Sequence, residues 1–443
     1  MPISAQAKSI AIWGAGREGA AALAYIKTHR PDAAITVLND SPLSAAALAA
    51  LEGASVLIGA EAASALSAGM FDVVIKSPGV SPYRPEVETA KQRGVDFTSV
   101  TNLWFEENPK AKTIAVTGTK GKTTTSGLIH HMLRAAGLDA SLIGNGGVPA
   151  LAQKTAHDVT VLELSSYQTA DLKHAPTIAV ITSLYPEHAP WHGGVERYYA
   201  DKLRLAQLDE KTLLVANGAD ARLRTAFASR PNTLWYNAGD GFRVEDGKLL
   251  KEAAPFAHEH FPLRGAHNLS NLAAALTLVE HLGLDAAACE TTLADFAIPP
   301  HRLSEFDVDG VLCVDDSIST IPEATLAALK TFADHPFCLI LGGEDRGQNY
   351  AELYAYLKMR PPRFVALMPA NGKRILDELS PLAPSFEFQL MENLRQAVDA
   401  CFQRLQKGDL LLLSPAAPSY GQFANFEERG RVFEELCRAK AGK

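Results

Sequence analysis

The sequence predicts an α/β protein of three domains built on mostly parallel sheets. Short, near-continuous apolar runs alternate with helical patterns along the chain, as expected for strands buried on both faces of a parallel sheet. Several of these runs, at 9–13, 113–116, 159–162 and 311–314, lead directly into glycine-rich or polar turns. In open α/β sheets those strand ends are where ligands gather. Two breaks, a stretch of mixed polarity at 98–112 containing Pro109 and the stiff Pro299-Pro300-His301-Arg302, divide the chain into 1–98, 99–302 and 303–443. A length of 443 residues is in keeping with about two to four domains. Hydrophobic residues make up 47% and charged residues 21%, an ordinary soluble composition. The net charge of −8 argues against nonspecific nucleic-acid binding. Cys289, Cys313, Cys338, Cys401 and Cys437 form no C-x-x-C pair and read as buried apolar residues in a reducing compartment. The first residues lack a signal-peptide core and no apolar run reaches membrane-spanning length. The expectation is a cytoplasmic protein with neither a nucleic-acid nor a membrane partner.

In the first domain, the strand at 9–13 runs into Gly14-Ala15-Gly16-Arg17-Glu18-Gly19 and an apolar helix, matching the dinucleotide fingerprint. A second strand at 35–38 ends at Asn39 and Asp40, and Asp40 stands at the distance of a ribose-binding acid. NAD is the literal reading. The fingerprint, however, places a diphosphate at a helix N-terminus without identifying the nucleotide. A further strand at 72–75 ends in Ser77-Pro78-Gly79. The alanine-rich 44–70 reads as helix and packing. This is a Rossmann-like domain.

The second domain opens on Val116-Thr117-Gly118-Thr119-Lys120-Gly121-Lys122-Thr123-Thr124-Thr125, between an apolar strand and a helical pattern. Strand, glycine turn and helix present backbone N–H groups and a helix N-terminus to a phosphate. Gly118 and Gly121 permit close backbone approach, Lys122 supplies a point charge, and Thr123 or Thr124 a hydroxyl for Mg²⁺. The loop is two residues shorter than the usual G-x-x-x-x-G-K-[ST] spacing. Gly144-Asn145-Gly146-Gly147 reads as a flexible turn that exposes backbone to a ligand. The run at 159–162 delivers Glu163, followed by Ser165-Ser166-Tyr167-Gln168. The run at 177–181 leads to Glu187 and His188, and Lys202 follows in a helical stretch. Glu163 and a loop threonine could share one Mg²⁺; His188 and a modified or neutral Lys202 could help hold a second, although histidine is an uncommon Mg²⁺ ligand. Residues 237–262 read as irregular, with short polar strands at best. Asn268 and Asn271, three apart on a helix, either face one ligand or act as caps.

The third domain repeats the α/β pattern with strands at 311–314, 337–341, 364–368 and 409–413 and helices at 322–332 and 394–405, so it is doubly wound. Its strand ends are again polar: Asp315-Asp316-Ser317, Gly342-Gly343-Glu344-Asp345-Arg346, and the segment from Ser414 to Ser419.

Taken together, the loop at 117–123, Glu163-Leu-Ser-Ser-Tyr-Gln168, the His188 and Lys202 pair, Gly265-Ala-His-Asn-Leu-Ser-Asn271, Pro300-His-Arg302, Asp316-Ser317, Leu341-Gly-Gly343 and Leu413-Ser-Pro-Ala-Ala-Pro-Ser419 resemble the Mur ligases of peptidoglycan synthesis, and within them the glutamate-adding MurD type. The resemblance runs from Gly14 to Gly430. It implies a cytoplasmic, monomeric, ATP-dependent amide ligase serving cell-wall synthesis, and so cell shape and division. The carboxylate of UDP-N-acetylmuramoyl-L-alanine would take the γ-phosphoryl group of ATP, and the amine of glutamate would attack the acyl phosphate. Lys122, Glu163, His188 and Lys202 would be catalytic. Gly118, Thr119, Lys120, Gly121, Lys122, Thr123, Thr124, Asn268, Asn271, Arg302 and Asp316 would contact ATP. Thr123 and Glu163 would hold one Mg²⁺, and His188 with a carbamylated Lys202 a second. Gly14, Arg17, Glu18, Asp40, Ser77, Asn145, Ser165 and Gln168 would bind the UDP substrate, and Thr320, Ser419, Tyr420 and Phe426 the glutamate.

The departures from the family pattern cluster at the amino-acid end. Where the D-glutamate enzymes follow Asp-Ser with Lys, Ala, Thr and Asn, this chain has Ile318, Ser319, Thr320 and Ile321. Tyr420-Gly421 replaces a common Leu-Asp, and Ala189-Pro190 another after His188. The pattern points to the variant that adds L-glutamate. The competing readings are the D-glutamate enzyme, a folylpolyglutamate synthase-like ligase, an NAD-dependent dehydrogenase and a non-catalytic nucleotide-binding regulator.

Overall fold

The computed structural model describes residues 3 and 6–442, apart from 52, 146, 147, 154–156, 240, 383 and 384. The chain forms two compact units, Met1–Phe261 with Ser270–Phe296, and Pro262–Leu269 with Ala297–Lys443.

The first unit begins with β1 (Ser9–Trp13), β2 (Ala34–Asn39), β3 (Ser55–Ile58), β4 (Val73–Lys76) and β5 (Asp96–Thr98). They form one parallel sheet in the order β3-β2-β1-β4-β5. Strand order reverses between β1 and β4, which opens a crevice at their carboxyl ends. Gly14 and Ser77 stand at those ends. The stretch 44–70 is not only helix: β3 lies within it, between the helices Ala45–Ala49 and Ala60–Ser67. As an edge strand with one exposed and three half-buried residues, β3 lacks the continuous apolar run of β4, whose four residues are all buried.

Residues 98–112 also differ from the expected break. Ser99 accepts the N–H of Asn102 and caps a helix, Val100–Glu107, in which Val100, Leu103, Trp104 and Phe105 are buried. These side chains belong to one apolar cluster that runs from Ile10, Ile12 and Ile26 to Ala115, Leu162 and Tyr198. The segment between the two sheets is therefore core.

A second sheet follows: β6 (Thr113–Thr117), β7 (Ala140–Gly144), β8 (Val159–Glu163), β9 (Ile178–Ile181), β10 (Leu213–Asn217) and β11 (Thr233–Tyr236). Its order is β11-β10-β9-β6-β8-β7, all parallel. Because β6 pairs with β8 on one side and β9 on the other, three sequence-distant strand ends meet in the middle of the sheet. The stretch after 237, expected to hold short polar strands at best, folds as a small antiparallel meander of β12 (Phe242–Glu245), β13 (Lys248–Lys251) and β14 (Ala254–Pro255).

In the second unit, β15 (Ser304–Val308), β16 (Val311–Asp315), β17 (Phe337–Leu341), β18 (Phe364–Leu367), β19 (Glu387–Leu390) and β20 (Leu410–Leu413) pair in the order β15-β16-β20-β17-β18-β19. Only β15 runs antiparallel. β15 and β19, absent from the sequence expectation, are the edges, with exposed residues along their length. All five cysteines are buried thiols, as their spacing implied.

Replacing Trp104 with alanine is expected to destabilise the first unit by about 3–5 kcal/mol, the cost of emptying a large core site. The shift of the chemical-denaturation midpoint measures it; a neutral result would contradict the placement of Trp104 in the core.

Candidate active site

The phosphate loop joins β6 to the helix Lys122–Ala135. Gly118 has φ +147° and Gly121 φ +89°, regions closed to most side chains. A Cβ on Gly118 would stand 1.9 Å from Thr182 Oγ1, and one on Gly121 2.3 Å from Asn271 Oδ1. Both glycines are required by conformation and by space. Thr125 N–H donates to Gly121 O at 2.9 Å. The N–H groups of Lys122, Thr123 and Thr124 precede that bond and have no partner within the helix, as at any helix start. Lys122 Nζ donates to the carbonyls of Gly118 at 3.0 Å and Thr119 at 3.1 Å.

The middle of the loop is held from behind. Thr119 is buried; its N–H donates to Ser183 O at 2.6 Å and its hydroxyl pairs with Tyr198 Oη at 2.7 Å. Lys120 N–H donates to Ser183 Oγ at 3.1 Å, while its ammonium meets Glu187 at 3.3 Å. The side chain of Thr119 thus serves the loop's shape.

At the end of β8, Glu163 is buried. Its Oε1 accepts from Thr123 Oγ1 at 3.1 Å and Asn145 Nδ2 at 3.3 Å, and its buried Oε2 has no hydrogen-bond partner among the described residues. Of the two threonine choices, Thr123 reaches the carboxylate, whereas Thr124 is wholly buried. No three His, Cys, Asp or Glu converge as a metal cage among the described residues. Mg²⁺ commonly takes only one or two protein carboxylates and completes its shell with phosphate oxygens and water. An unpartnered carboxylate oxygen beside a threonine hydroxyl at a phosphate loop fits that ion. Gly146 and Gly147 lie outside the described residues.

After β9 the chain reaches His188, whose φ of +55° starts the short helix Ala189–His192. His188 Nδ1 pairs with Tyr167 Oη at 2.9 Å, and its Nε2 faces Glu187 at 3.8 Å. Lys202 lies on the helix Val195–Gln207, fully buried, and donates to Gly118 O at 2.7 Å. Burial first, then the positive charge of Lys122, pushes its amine well below the usual lysine range. A lysine held toward its neutral form is a nucleophile. Glu187, Tyr167 and Tyr198 complete this site; no spacing rule singled them out.

The first sheet contributes its own strand ends. Ser77 Oγ donates to Gly14 O at 3.3 Å, and a Cβ on Gly14 would meet Ser77 Oγ at 2.7 Å. Asp40 accepts from Trp13 Nε1 at 3.3 Å and pairs with Arg84 at 2.6 Å. Arg17 is exposed at the helix start. Ser165 and Gln168 form a capping box, and Gln168 Nε2 also donates to Glu18 Oε1 at 2.9 Å. Burial raises the Glu18 carboxyl from 4.5 to about 7, opposed by the Gln168 hydrogen bond and by Lys76.

On the helix Ala266–His281, Asn271 accepts from Thr125 Oγ1 at 3.3 Å within the first unit. Asn268, in the second, donates its amide to Arg264 O at 2.8 Å from within the helix, which is not the accepting bond of an N-cap. Within the second unit Asp316 is buried and accepts from the hydroxyls of Ser319 at 2.5 Å and Ser414 at 2.8 Å. Burial raises its carboxyl to about 6 against those bonds and the charge of Arg302. Arg429 is buried and donates to Ser317 O at 2.7 Å and Ala417 O at 3.2 Å, tying the ends of β16 and β20 together. Ser419 is buried, Thr320 and Phe426 are half-buried, and Tyr420 is exposed.

Because the Glu18 carboxyl is raised in the fold, its stabilising contribution is complete below the unfolded value of 4.5 and lost as pH rises through about 7. Glu18→Gln is therefore expected to raise Tm by a few degrees at pH 8 and by little or nothing at pH 5. Equal shifts at both pH values would contradict this.

The family model for the Mur ligase middle domain matches residues 116–279. A UDP-N-acetylmuramoyl-L-alanine–L-glutamate ligase of Xanthomonas euvesicatoria pv. vesicatoria is 40% identical, the match covering 98% of this chain and 95% of the relative. The enzyme so named from a Micromonospora species is 38% identical, covering 98% and 97%. Among solved structures, UDP-N-acetylmuramate-alanine ligase MurC from Thermotoga maritima superposes with a TM-score of 0.63 at 19% identity, over 98% of this chain and all of the other. MurF ligase from the same organism, in complex with ADP, gives 0.61 at 18%, over 94% and 92%. The structural likeness establishes the fold, and the full-length sequence identity establishes descent: this chain belongs to the Mur ligases, a family of ATP-dependent, amide-forming enzymes of peptidoglycan synthesis.

Proposed function

We propose that this chain joins L-glutamate to the alanine carboxylate of UDP-N-acetylmuramoyl-L-alanine through an acyl phosphate, acting as a cytoplasmic monomer. The observation that carries the reading is the convergence on the glycine loop of Glu163, from the end of the neighbouring strand, and of the buried Lys202, from the helix Val195–Gln207. Among the described residues no helix is long and apolar enough to cross a membrane. In this reading residues 1–98 bind the UDP moiety at the crevice of Gly14, Arg17, Glu18, Asp40 and Ser77, 99–302 carry ATP, and 303–443 present glutamate.

The substrate carboxylate attacks the γ-phosphorus and the bond to ADP breaks. The glutamate amine then adds to the acyl carbon and phosphate leaves. Two anions must be brought together in the first step, so charge stabilisation dominates. Lys122 and the helix N–H groups meet the phosphates. Mg²⁺ held by Thr123 and Glu163, and by His188 with Lys202, would neutralise the charge that builds between the phosphates and the carboxylate. Lys202, as a carbamate formed with CO₂, presents an oxygen anion in place of a cation. Asn268, Asn271, Arg302 and Asp316 position the nucleotide.

The preference for L-glutamate rests on the amino-acid end. Ile318 is half-buried and cannot pair with a carboxylate where the D-glutamate enzymes have lysine. Inverting the α-carbon with the amine fixed at the acyl phosphate redirects one carboxylate. Thr320, Ser419, Tyr420 and Phe426 are the residues this reading assigns to the redirected carboxylate, and the Arg346 guanidinium lies 6.0 Å from the Tyr420 ring. A carboxylate left unpaired in a desolvated pocket costs a few kcal/mol, or about a hundredfold in selectivity. The names of the curated relatives agree with this stereochemistry.

Two measurements test the proposal. kcat/KM for L-glutamate should exceed that for D-glutamate by about a hundredfold; a preference for the D form would overturn the stereochemical assignment. Lys202→Ala should be nearly inactive and partly restored by formate or acetate, whereas an active alanine variant would remove Lys202 from the site.

A further inference from the structure

Glu163, His188 and Lys202 sit on three chain segments, and a single buried line of hydrogen bonds crosses all three. Ser166, three residues after Glu163, pairs through Oγ with His192 Nε2 at 3.0 Å. His192 Nδ1 pairs with Asp201 Oδ2 at 2.5 Å, and Asp201 immediately precedes Lys202. His192 also ends the short helix that His188 begins. His192 is 0% exposed and Ser166 2%, so the Ser–His–Asp order has no access for a substrate to the serine. The line ends at the first domain, where Tyr83 Oη donates to the other oxygen of Asp201 at 2.5 Å. Parallel ties reinforce it: Ser81 Oγ donates to Trp191 O at 2.7 Å, and Trp191 Nε1 to Gly79 O at 2.9 Å. Trp191 stacks on Tyr167 with centroids 4.2 Å apart, and Tyr167 bonds His188.

We propose that Ser166, His192, Asp201 and Tyr83 form a positioning network that fixes Glu163, His188 and Lys202 relative to one another. Through residues 77–83 it registers them to the strand end that bears Ser77. It rests on the assignment of Lys202 made above. None of the four touches a reacting atom. Their geometry does what packing alone does not: a histidine with both nitrogens engaged has one orientation, and a carboxylate accepting from two directions fixes the helix rotation that aims Lys202 at Gly118. A misplacement of about 1 Å in such a site costs on the order of a hundredfold in rate.

The test uses the full chain equilibrated with ¹³C-bicarbonate. Carbon NMR reads the lysine carbamate without turnover, and steady-state kinetics run beside it. His192→Ala should lose the carbamate signal and about a hundredfold in kcat. His192→Asn, whose amide still reaches Asp201, should recover part of both. Tyr83→Phe, a change at a partly exposed position, should lower kcat about three- to tenfold with KM for ATP unchanged. Should the alanine variant fail to fold, the asparagine and phenylalanine variants decide the matter. Wild-type signal and kcat in these variants would overturn the network. Absence of the signal from the wild-type protein would instead overturn the carbamate assignment, and the network's role with it.

Discussion

The contact between the buried Lys202 ammonium nitrogen and the Gly118 carbonyl, at 2.7 Å, is the constraint on which the rest of the central domain depends. An amine in a site with no solvent access is tolerated only with a polar partner or in its neutral form. Here the partner is the phosphate loop itself, so the position of the lysine and the shape of the loop are set together. The loop cannot retreat, because Thr182 and Asn271 occupy the space behind its glycines. The helix cannot rotate, because Tyr198 bonds Thr119 on one side and Asp201 bonds His192 on the other. Lys122 and Lys120 lie near enough to depress Lys202 further, while Glu187 and Glu163 oppose them.

The first sheet is joined to this arrangement by apolar and polar means alike. The helix Val100–Glu107 places Leu103 and Trp104 in the cluster shared with Ile10 and Leu162. Over that core, Gln168 meets Glu18, Lys76 meets Asp171 at 2.9 Å, and Tyr83 meets Asp201. Both partners of the Lys76 pair are largely removed from water, so breaking one would leave a charge without compensation. A substrate that reached from Ser77 to the phosphate loop would lie across elements already locked to each other, which lowers the entropy cost of orienting it.

In the second unit the same economy of parts is visible. Arg429, buried, spends its donors on backbone carbonyls and the Ser317 hydroxyl, and burial pulls its guanidinium down to about 10. It thereby clamps the turns that carry Asp316 and Ser419 at the ends of two adjacent strands. His301, at φ +59°, meets Asp315 at 2.6 Å beside them.

By itself the sequence determined the α/β class, the buried central strands, the glycine loop and the residues at the strand ends. Each of these is local: an apolar run marks β6 or β20, and a glycine marks a backbone that must turn or approach closely. Edge strands escaped it, because β3, β15 and β19 carry exposed residues and lose the periodic signal that burial imposes. The helix at Val100–Glu107 escaped for the opposite reason. Its polar flanks and Pro109 read as a break, and only packing shows Trp104 to be core. Tertiary structure alone decided that β6 lies between β8 and β9, and it brings Glu163 and Lys202 to one loop, with His188 beside the Glu187 that meets Lys120. It alone chose Thr123 over Thr124 for Glu163, turned Thr119 inward, and assembled Ser166, His192, Asp201 and Tyr83 into one line. A hydrogen bond between residues 118 positions apart leaves no periodicity in a chain, so no local pattern could have announced it.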